Sequence, residues 1–178
     1  MNVSDGSPIG PNASIQDLER ILEFAPDNAD AAMALAHAQL AAGRVREAQA
    51  MFERASAIAP KDARPVLQLA LIALRSGRIS DAGSLLESAL ELDPDLTEAA
   101  FQLGNLALSL ANNVRAEQFF RQVLRANPHY APALGNLGIA LSKLGNVTEA
   151  ETCWQTALQL DPSLAPRACP EFCVRGIT

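Results

Sequence analysis

Three side-chain amides recur at a fixed spacing in this chain of 178 residues. Gln68, Gln102 and Asn136 lie 34 residues apart. A carboxamide carries both a hydrogen-bond donor and an acceptor, so it matches the two polar groups of a peptide backbone. A surface that presents all three amides in a row would hold an extended chain with little preference for its sequence. The alternative is that they are ordinary solvent-facing residues, since glutamine is a good helix former.

Residues that support catalysis form no recognisable constellation. The two histidines, His37 and His129, accompany no serine or cysteine nucleophile motif. No glycine-rich phosphate loop is present, and carboxylates such as Glu98 and Glu117 are spaced like those of solvated helix faces. We therefore expect this chain to be no enzyme and to carry no cofactor.

The cysteines predict neither a disulfide scaffold nor a metal centre. Cys169 and Cys173 are close in sequence but lack a second pair of ligands, as a structural zinc site requires. Cys153 lies beside Trp154, and we interpret it as an inert, small apolar residue.

A comb of prolines sets the register of the chain. A fixed period of this length is typical of stacked supersecondary units. Five prolines recur at intervals of 34 residues: Pro26, Pro60, Pro94, Pro128 and Pro162.

Each unit between the prolines reads as two helices. The leading helices are predicted to start at Ala29, Ala63, Thr97 and Ala131. They end near Gly43, Gly77, Ala111 and Gly145, because glycine tolerates the positive φ of a helix C-terminus. In the third unit two asparagines follow Ala111, and asparagine is the usual substitute for glycine. Ser14 is the predicted N-cap of the first helix, and Thr148 with Glu151 forms a capping-box pattern for the last one.

Small and bulky residues alternate in the same register. The eighth position of each unit is small: Ala36, Ala70, Gly104 and Gly138. The twenty-fourth position is bulky: Phe52, Leu86, Phe120 and Trp154. Helices approach closely where small side chains face each other, and a bulky side chain fills the space beside them.

This pattern resembles the tetratricopeptide repeat (TPR) family over residues 14–162, although the fourth and eleventh positions depart from the usual Trp and Tyr. The resemblance implies an all-α fold, a right-handed α-α superhelix of about four and a half helix-turn-helix repeats. The predicted divisions are a disordered lead-in at 1–13, a half repeat at 14–28, full repeats at 29–62, 63–96, 97–130 and 131–164, and an irregular tail at 165–178.

In the family resembled, the leading helices line a concave groove that holds an extended peptide. Transferring the groove positions gives a largely apolar strip with positive charge at its margins. Its residues are Met33, His37, Arg64, Leu67, Gln68, Leu71, Arg75, Phe101, Gln102, Asn105, Asn136, Ile139 and Lys143. The amides at the sixth position look similar to the asparagine ladder in the TPR region of O-GlcNAc transferase.

The two-carboxylate clamp of heat-shock co-chaperones is excluded. That clamp requires lysine, arginine and asparagine at fixed groove positions. The corresponding residues here are Met33, His37, Leu71, Glu98 and Gln102, and a shift by one repeat restores no clamp.

Composition narrows the class of partner. Apolar residues make up 49% of the chain, aromatic residues 4%, and the net charge is −6 without a basic stripe, so we expect no nucleic-acid partner. The sequence contains no stretch of about 18 apolar residues, so it predicts no membrane span. The start of the chain lacks the features of a Sec signal, which favours the cytoplasm.

Three functions remain open. The first is a protein-interaction scaffold that binds an extended peptide or a partner helix of unknown identity. The second is the TPR segment of a larger, bacterial enzyme such as a glycosyltransferase or sulfotransferase. The third is a homo-oligomer formed through uncapped repeat ends, since no polar capping helix is readable. The uncapped ends have two explanations: the chain is a piece of a longer protein, or self-association covers its ends. We favour the first.

Overall fold

The structure is a computed structural model that describes residues 13–164. Within this range the chain forms nine α-helices, a final 3-10 turn at Pro162–Leu164 and no strand. The helices are α1 Ile15–Phe24, α2 Ala29–Ala41, α3 Val45–Ile58, α4 Ala63–Arg75, α5 Ile79–Leu92, α6 Thr97–Ser109, α7 Asn113–Ala126, α8 Ala131–Lys143 and α9 Val147–Leu160. The all-α prediction is confirmed. The predicted tail at 165–178, and all of the lead-in except residue 13, lie outside the described residues.

The chain divides into two compact units, one ending at Leu85 and the other beginning at Leu86. α5 contributes to both. The core of the first unit includes Leu18, Leu22, Leu35, Phe52 and Ile72. The core of the second unit includes Phe120, Val123, Leu137, Leu141 and Trp154. Alanine fills most of the remaining core positions in both units, which allows the helices of each hairpin to approach closely.

Left-handed residues end the leading helices, as the turn pattern predicts. Gly43, Gly77 and Gly145 have φ of 77°, 72° and 85°. In the third repeat Ala111 itself adopts φ 56°, without an asparagine taking over the role. Asn112 instead caps α7 and accepts a hydrogen bond from the Arg115 amide at 3.2 Å. The alanine thus carries a conformation that costs an L-residue roughly 1–2 kcal/mol.

Helix starts follow the predicted capping chemistry at one end of the chain but not at the other. Ser14 caps α1 and forms a capping box with Asp17. The capping box predicted for Thr148 and Glu151 is wrong. α9 already begins at Val147 and has no side-chain cap, so Thr148 lies inside the first turn.

Two mid-helix glycines allow bulky side chains to lie against a helix backbone. A Cβ added to Gly104 of α6 would lie 2.6 Å from Cε1 of Phe120 in α7. A Cβ added to Gly138 of α8 would lie 2.6 Å from Cδ1 of Trp154 in α9. Both distances are well below van der Waals contact, so an added methyl group would force the ring or the helix to shift. The small-against-bulky pattern of the sequence therefore corresponds to direct packing at these two positions.

The proline comb also provides hydrogen-bond acceptors. In the first unit Nη2 of Arg54 donates to the carbonyl oxygen of Pro26 at 2.6 Å. In the second unit Nε2 of Gln122 donates to the carbonyl oxygen of Pro94 at 2.9 Å. Each donor lies 28 residues after its proline, so the second helix of one repeat is tied to the end of the repeat before it.

Candidate functional site

The predicted apolar strip in the first unit is partly covered. Met33 and Leu67 are only 8% and 7% exposed, and Met33 belongs to the unit's core. Leu71 is half-buried. The first two side chains therefore offer little surface to a peptide. The repeat register specifies which helix face a residue occupies, but not how deeply neighbouring side chains cover it.

His37 in α2 lies over the ring of Phe52. The ring centroids are 5.1 Å apart and the rings meet edge to face at 77°. Burial lowers the pKa of His37, because the charged imidazolium loses hydration there. The lowered pKa favours the neutral imidazole at pH 7.

Arg64 is not a free positive charge. Its guanidinium binds Asp62 with an Nη2–Oδ2 distance of 2.7 Å and Asp30 with an Nη2–Oδ1 distance of 3.1 Å. Hydrogen bonds to these two carboxylates raise the pKa of Arg64. Arg75 is exposed, and it has no ion pair among the described residues. Arg75 is therefore the available cation of the predicted groove in this unit.

Two of the three recurrent amides already have partners within the second unit. Nε2 of Gln102 donates to Oε1 of Glu98 at 2.7 Å, one helical turn away. Nδ2 of Asn136 in α8 donates to Oδ1 of Asn105 in α6 at 2.7 Å. Gln68, in the first unit, is half-buried and makes no hydrogen bond with the described residues. The alignment of the three amides in one row stays a prediction.

The second unit contains a pocket of about 290 Å³ that includes the bonded asparagine pair. It brings together four predicted residues, Phe101, Asn105, Asn136 and Ile139. Lys143, the other predicted cation of this unit, is exposed and does not line the pocket. Seven further residues complete the lining: Tyr130, Pro132, Gly135, Trp154, Ala157, Leu158 and Leu164.

Most of the lining that sequence reasoning missed comes from outside the leading helices. Tyr130 precedes α8, and Trp154 and Leu158 belong to α9. Pro132 could have been predicted, because it occupies the second position of its repeat. Arg64 was assigned to the groove from that same position in its own repeat. Trp154 also carried a signal, as the one tryptophan of the chain and the bulky partner of a glycine.

Aromatic packing gives the pocket fixed walls. Phe101 lies between Phe120, at 6.0 Å between ring centroids, and Tyr130, at 5.2 Å in an edge-to-face arrangement. Trp154 donates from Nε1 to the carbonyl oxygen of Gly135 at 3.1 Å. Burial, and secondarily the charge of Glu98, raises the pKa of Tyr130, which keeps its hydroxyl neutral.

The remaining candidate groups are the cysteines and the side chains that could bind a metal ion. Burial raises the pKa of Cys153, so its sulfur stays a thiol against the core. Between residues 13 and 164 no three His, Cys, Asp or Glu side chains come together as a metal site. Cys169 and Cys173 lie outside the described residues. In the same range, no helix has the length and apolar character needed to cross a membrane.

The paired helices, their left-handed turns and their constant period define a helical-repeat solenoid protein. Comparison with family models identifies the repeat. Models described as tetratricopeptide repeat match residues 11–71, 67–131 and 131–164. The chain belongs to the tetratricopeptide repeat family, whose members are non-catalytic interaction scaffolds.

Solved structures share the fold at low sequence identity. MamA is 18% identical with a TM-score of 0.72, and the match covers 85% of this chain and 89% of MamA. YrrB, whose structure is titled as a TPR protein with an unusual peptide-binding site, is 23% identical with a TM-score of 0.66 over 83% of this chain and 76% of YrrB. PilF of Pseudomonas aeruginosa is 23% identical with a TM-score of 0.72, and the match covers 81% of this chain and 66% of PilF. A search of curated proteins found no match.

Proposed function

We propose that this chain is an interaction scaffold that binds an extended peptide along its leading helices. The observation that carries the proposal is the pocket of the second unit, where apolar and aromatic walls surround the Asn105–Asn136 pair. Extended peptides are recognised by main-chain hydrogen bonds together with pockets for individual side chains. The lining of this pocket has side chains suited to both kinds of contact.

The predicted row of amides is part of the proposal. Gln68 has its donor and acceptor available, and Gln102 and Asn136 can exchange their internal bonds for bonds to a peptide backbone. Main-chain recognition of this kind would accept many sequences. The printed description of YrrB as a peptide-binding TPR protein supports peptide binding by this fold.

A pull-down with mass spectrometry identifies a partner, whose affinity is then measured. Replacing Gln68, Gln102 and Asn136 together by alanine is expected to weaken binding about tenfold or more, since each charge-neutral hydrogen bond contributes roughly 0.5–1.5 kcal/mol. The matched control replaces Gln155 and Gln159, two exposed glutamines of α9. Equal affinity of the triple variant and the wild type, with the helical spectrum intact, would rule out the amide row.

Self-association is a second candidate, favoured by one observation. Phe24 at the end of α1 is 79% exposed, an unusual position for a phenylalanine. If copies associate through this end, light scattering over a concentration series will show a mass above the monomer for the wild type and a monomer for Phe24→Ser. A wild-type monomer at the highest concentration counts against association.

Bacterial origin, location in the cytoplasm and membership of a larger enzyme stay predictions from the sequence. The reading frame after Thr178 tests the last of these directly.

A further inference from the structure

We propose that the pocket of the second unit is a subsite for one uncharged, apolar side chain of the bound peptide, and that the Asn105–Asn136 pair binds the backbone N–H and carbonyl oxygen of that same residue. The inference rests on the proposed peptide binding. It adds a position in the site and a chemical class of residue that the position selects.

The asparagine pair leaves one group of each kind for a ligand. The bond from Nδ2 of Asn136 to Oδ1 of Asn105 uses one amide nitrogen and one amide oxygen. Nδ2 of Asn105 and Oδ1 of Asn136 have no other hydrogen-bond partner among the described residues. If both amides are rotated by half a turn, one donor and one acceptor are still left. The pair therefore complements one extended residue of a peptide, whose own N–H and carbonyl oxygen point to the same side of the chain.

The walls of the pocket select against charge. Its lining residues include no Asp, Glu, Lys, Arg or His. An ionised side chain placed among Phe101, Ile139 and Leu158 would lose hydration without gaining a partner. An apolar side chain gains from the same burial.

Size limits the occupant to one residue. A volume of about 290 Å³ lies just below the range of pockets that hold whole small molecules, roughly 300–1,000 Å³. Leucine, methionine and phenylalanine side chains suit such a space, with the backbone passing over the asparagines.

The floor of the pocket is fixed before any ligand arrives. Trp154 is 3% exposed, bonds to the Gly135 carbonyl at 3.1 Å and packs against the backbone at Gly138. A fixed wall saves the entropy of ordering it during binding, which strengthens the affinity for a matching side chain.

Gly135 offers a way to fill the pocket without harming the fold. It lines the pocket, and a Cβ added there meets no atom within 4 Å. Leucine is also a far better helix former than glycine. The test begins with a phage-displayed library of random peptides selected on the full chain, and the enriched peptides are synthesised with a fluorescent label. We expect them to share a leucine, methionine or phenylalanine at one position. Gly135→Leu should weaken their binding about tenfold or more, and Gln155→Leu, on the exposed side of α9, should leave it unchanged.

The asparagine pair is tested with the same peptides. N-methylation of the anchor residue removes the backbone donor and should weaken binding to the wild type, but much less to a variant carrying both Asn105→Ala and Asn136→Ala. Selected peptides that bind Gly135→Leu as tightly as the wild type, or that carry a charged anchor residue, overturn the subsite and leave peptide binding in place. Equal effects of N-methylation on the wild type and the double variant overturn the role of the asparagines. If no peptide is enriched over an empty support, peptide binding itself fails, and the subsite fails with it.

Discussion

Gly138 lies directly against the indole of Trp154, with no room between them for a methyl group. A Cβ at Gly138 would lie 2.6 Å from Cδ1 of the indole. Glycine inside a helix usually costs about 0.5–1 kcal/mol relative to alanine. Here that cost is offset by the burial of the largest side chain of the second unit, and Gly104 has the same relationship with Phe120.

Alanine at these glycines should therefore destabilise the protein. We expect Gly138→Ala and Gly104→Ala each to lower the free energy of unfolding by about 1–3 kcal/mol, because the added methyl displaces a buried ring. Gly135→Ala is the matched control in α8. Its added Cβ meets nothing within 4 Å, so it should stabilise by about 0.5–1 kcal/mol. Denaturant unfolding monitored by circular dichroism measures the free energy of unfolding of all three variants. Equal effects of Gly138→Ala and Gly135→Ala, both in α8, would contradict the packing described.

Ala111 offers a stabilising substitution. Its φ of 56° strains an alanine but suits a glycine. We expect Ala111→Gly to raise the free energy of unfolding by about 1 kcal/mol. The reverse change at an equivalent turn, Gly77→Ala, should lower it by a similar amount, since Gly77 has φ 72°. A destabilised Ala111→Gly variant in thermal melts would show that the turn is not left-handed.

Gln39 in α2 is a second stabilising position. It is 4% exposed, and its Oε1 is buried without a hydrogen-bond partner among the described atoms. Leaving a buried acceptor unpaired costs about 1–3 kcal/mol. Gln39→Leu should recover about 1 kcal/mol in the free energy of unfolding, whereas Gln155→Leu at an exposed site should change it little. A loss of stability in Gln39→Leu would mean that the amide has a partner in solution.

Stability should fall in mildly acidic solution through His37. Burial holds its pKa below the ordinary value of 6.5, so the unfolded chain binds more protons than the folded chain as pH falls through this region. The stabilisation is therefore complete above pH 6.5 and is lost as the pH drops towards the lowered pKa. Thermal midpoints at about pH 7.5 and 5.5 should differ more for the wild type than for His37→Gln. An identical difference would remove His37 as the cause.

Much of the fold was predictable because prolines and glycines act directly on the backbone. Proline cannot continue a helix beyond its first turn, and glycine at Gly43, Gly77 and Gly145 readily adopts the left-handed turn. Ala111 was harder, because an alanine adopts that conformation only when the surrounding repeat imposes it. Thr148 shows a similar limit, since the capping-box pattern does not say at which residue a helix starts.

The candidate site was predictable only as a list of helix faces. The bond between Asn105 and Asn136 joins residues 31 positions apart, and it depends on rotamers that no period specifies. The coverage of Met33 depends on how the first unit closes its core. Tyr130 enters the pocket from a connection between helices, where the groove positions of the repeat do not extend.

The bonds to Pro26 and Pro94 can form only in a set order during synthesis of the chain. Each carbonyl accepts a hydrogen bond from a side chain 28 residues later, in the second helix of the following repeat. During synthesis on the ribosome the proline of one repeat leaves the exit tunnel before its donor does. The bond to its carbonyl cannot form until Arg54 or Gln122 has emerged, so this contact of each repeat depends on its successor. A nascent chain halted between the proline and its donor would lack this bond between repeats.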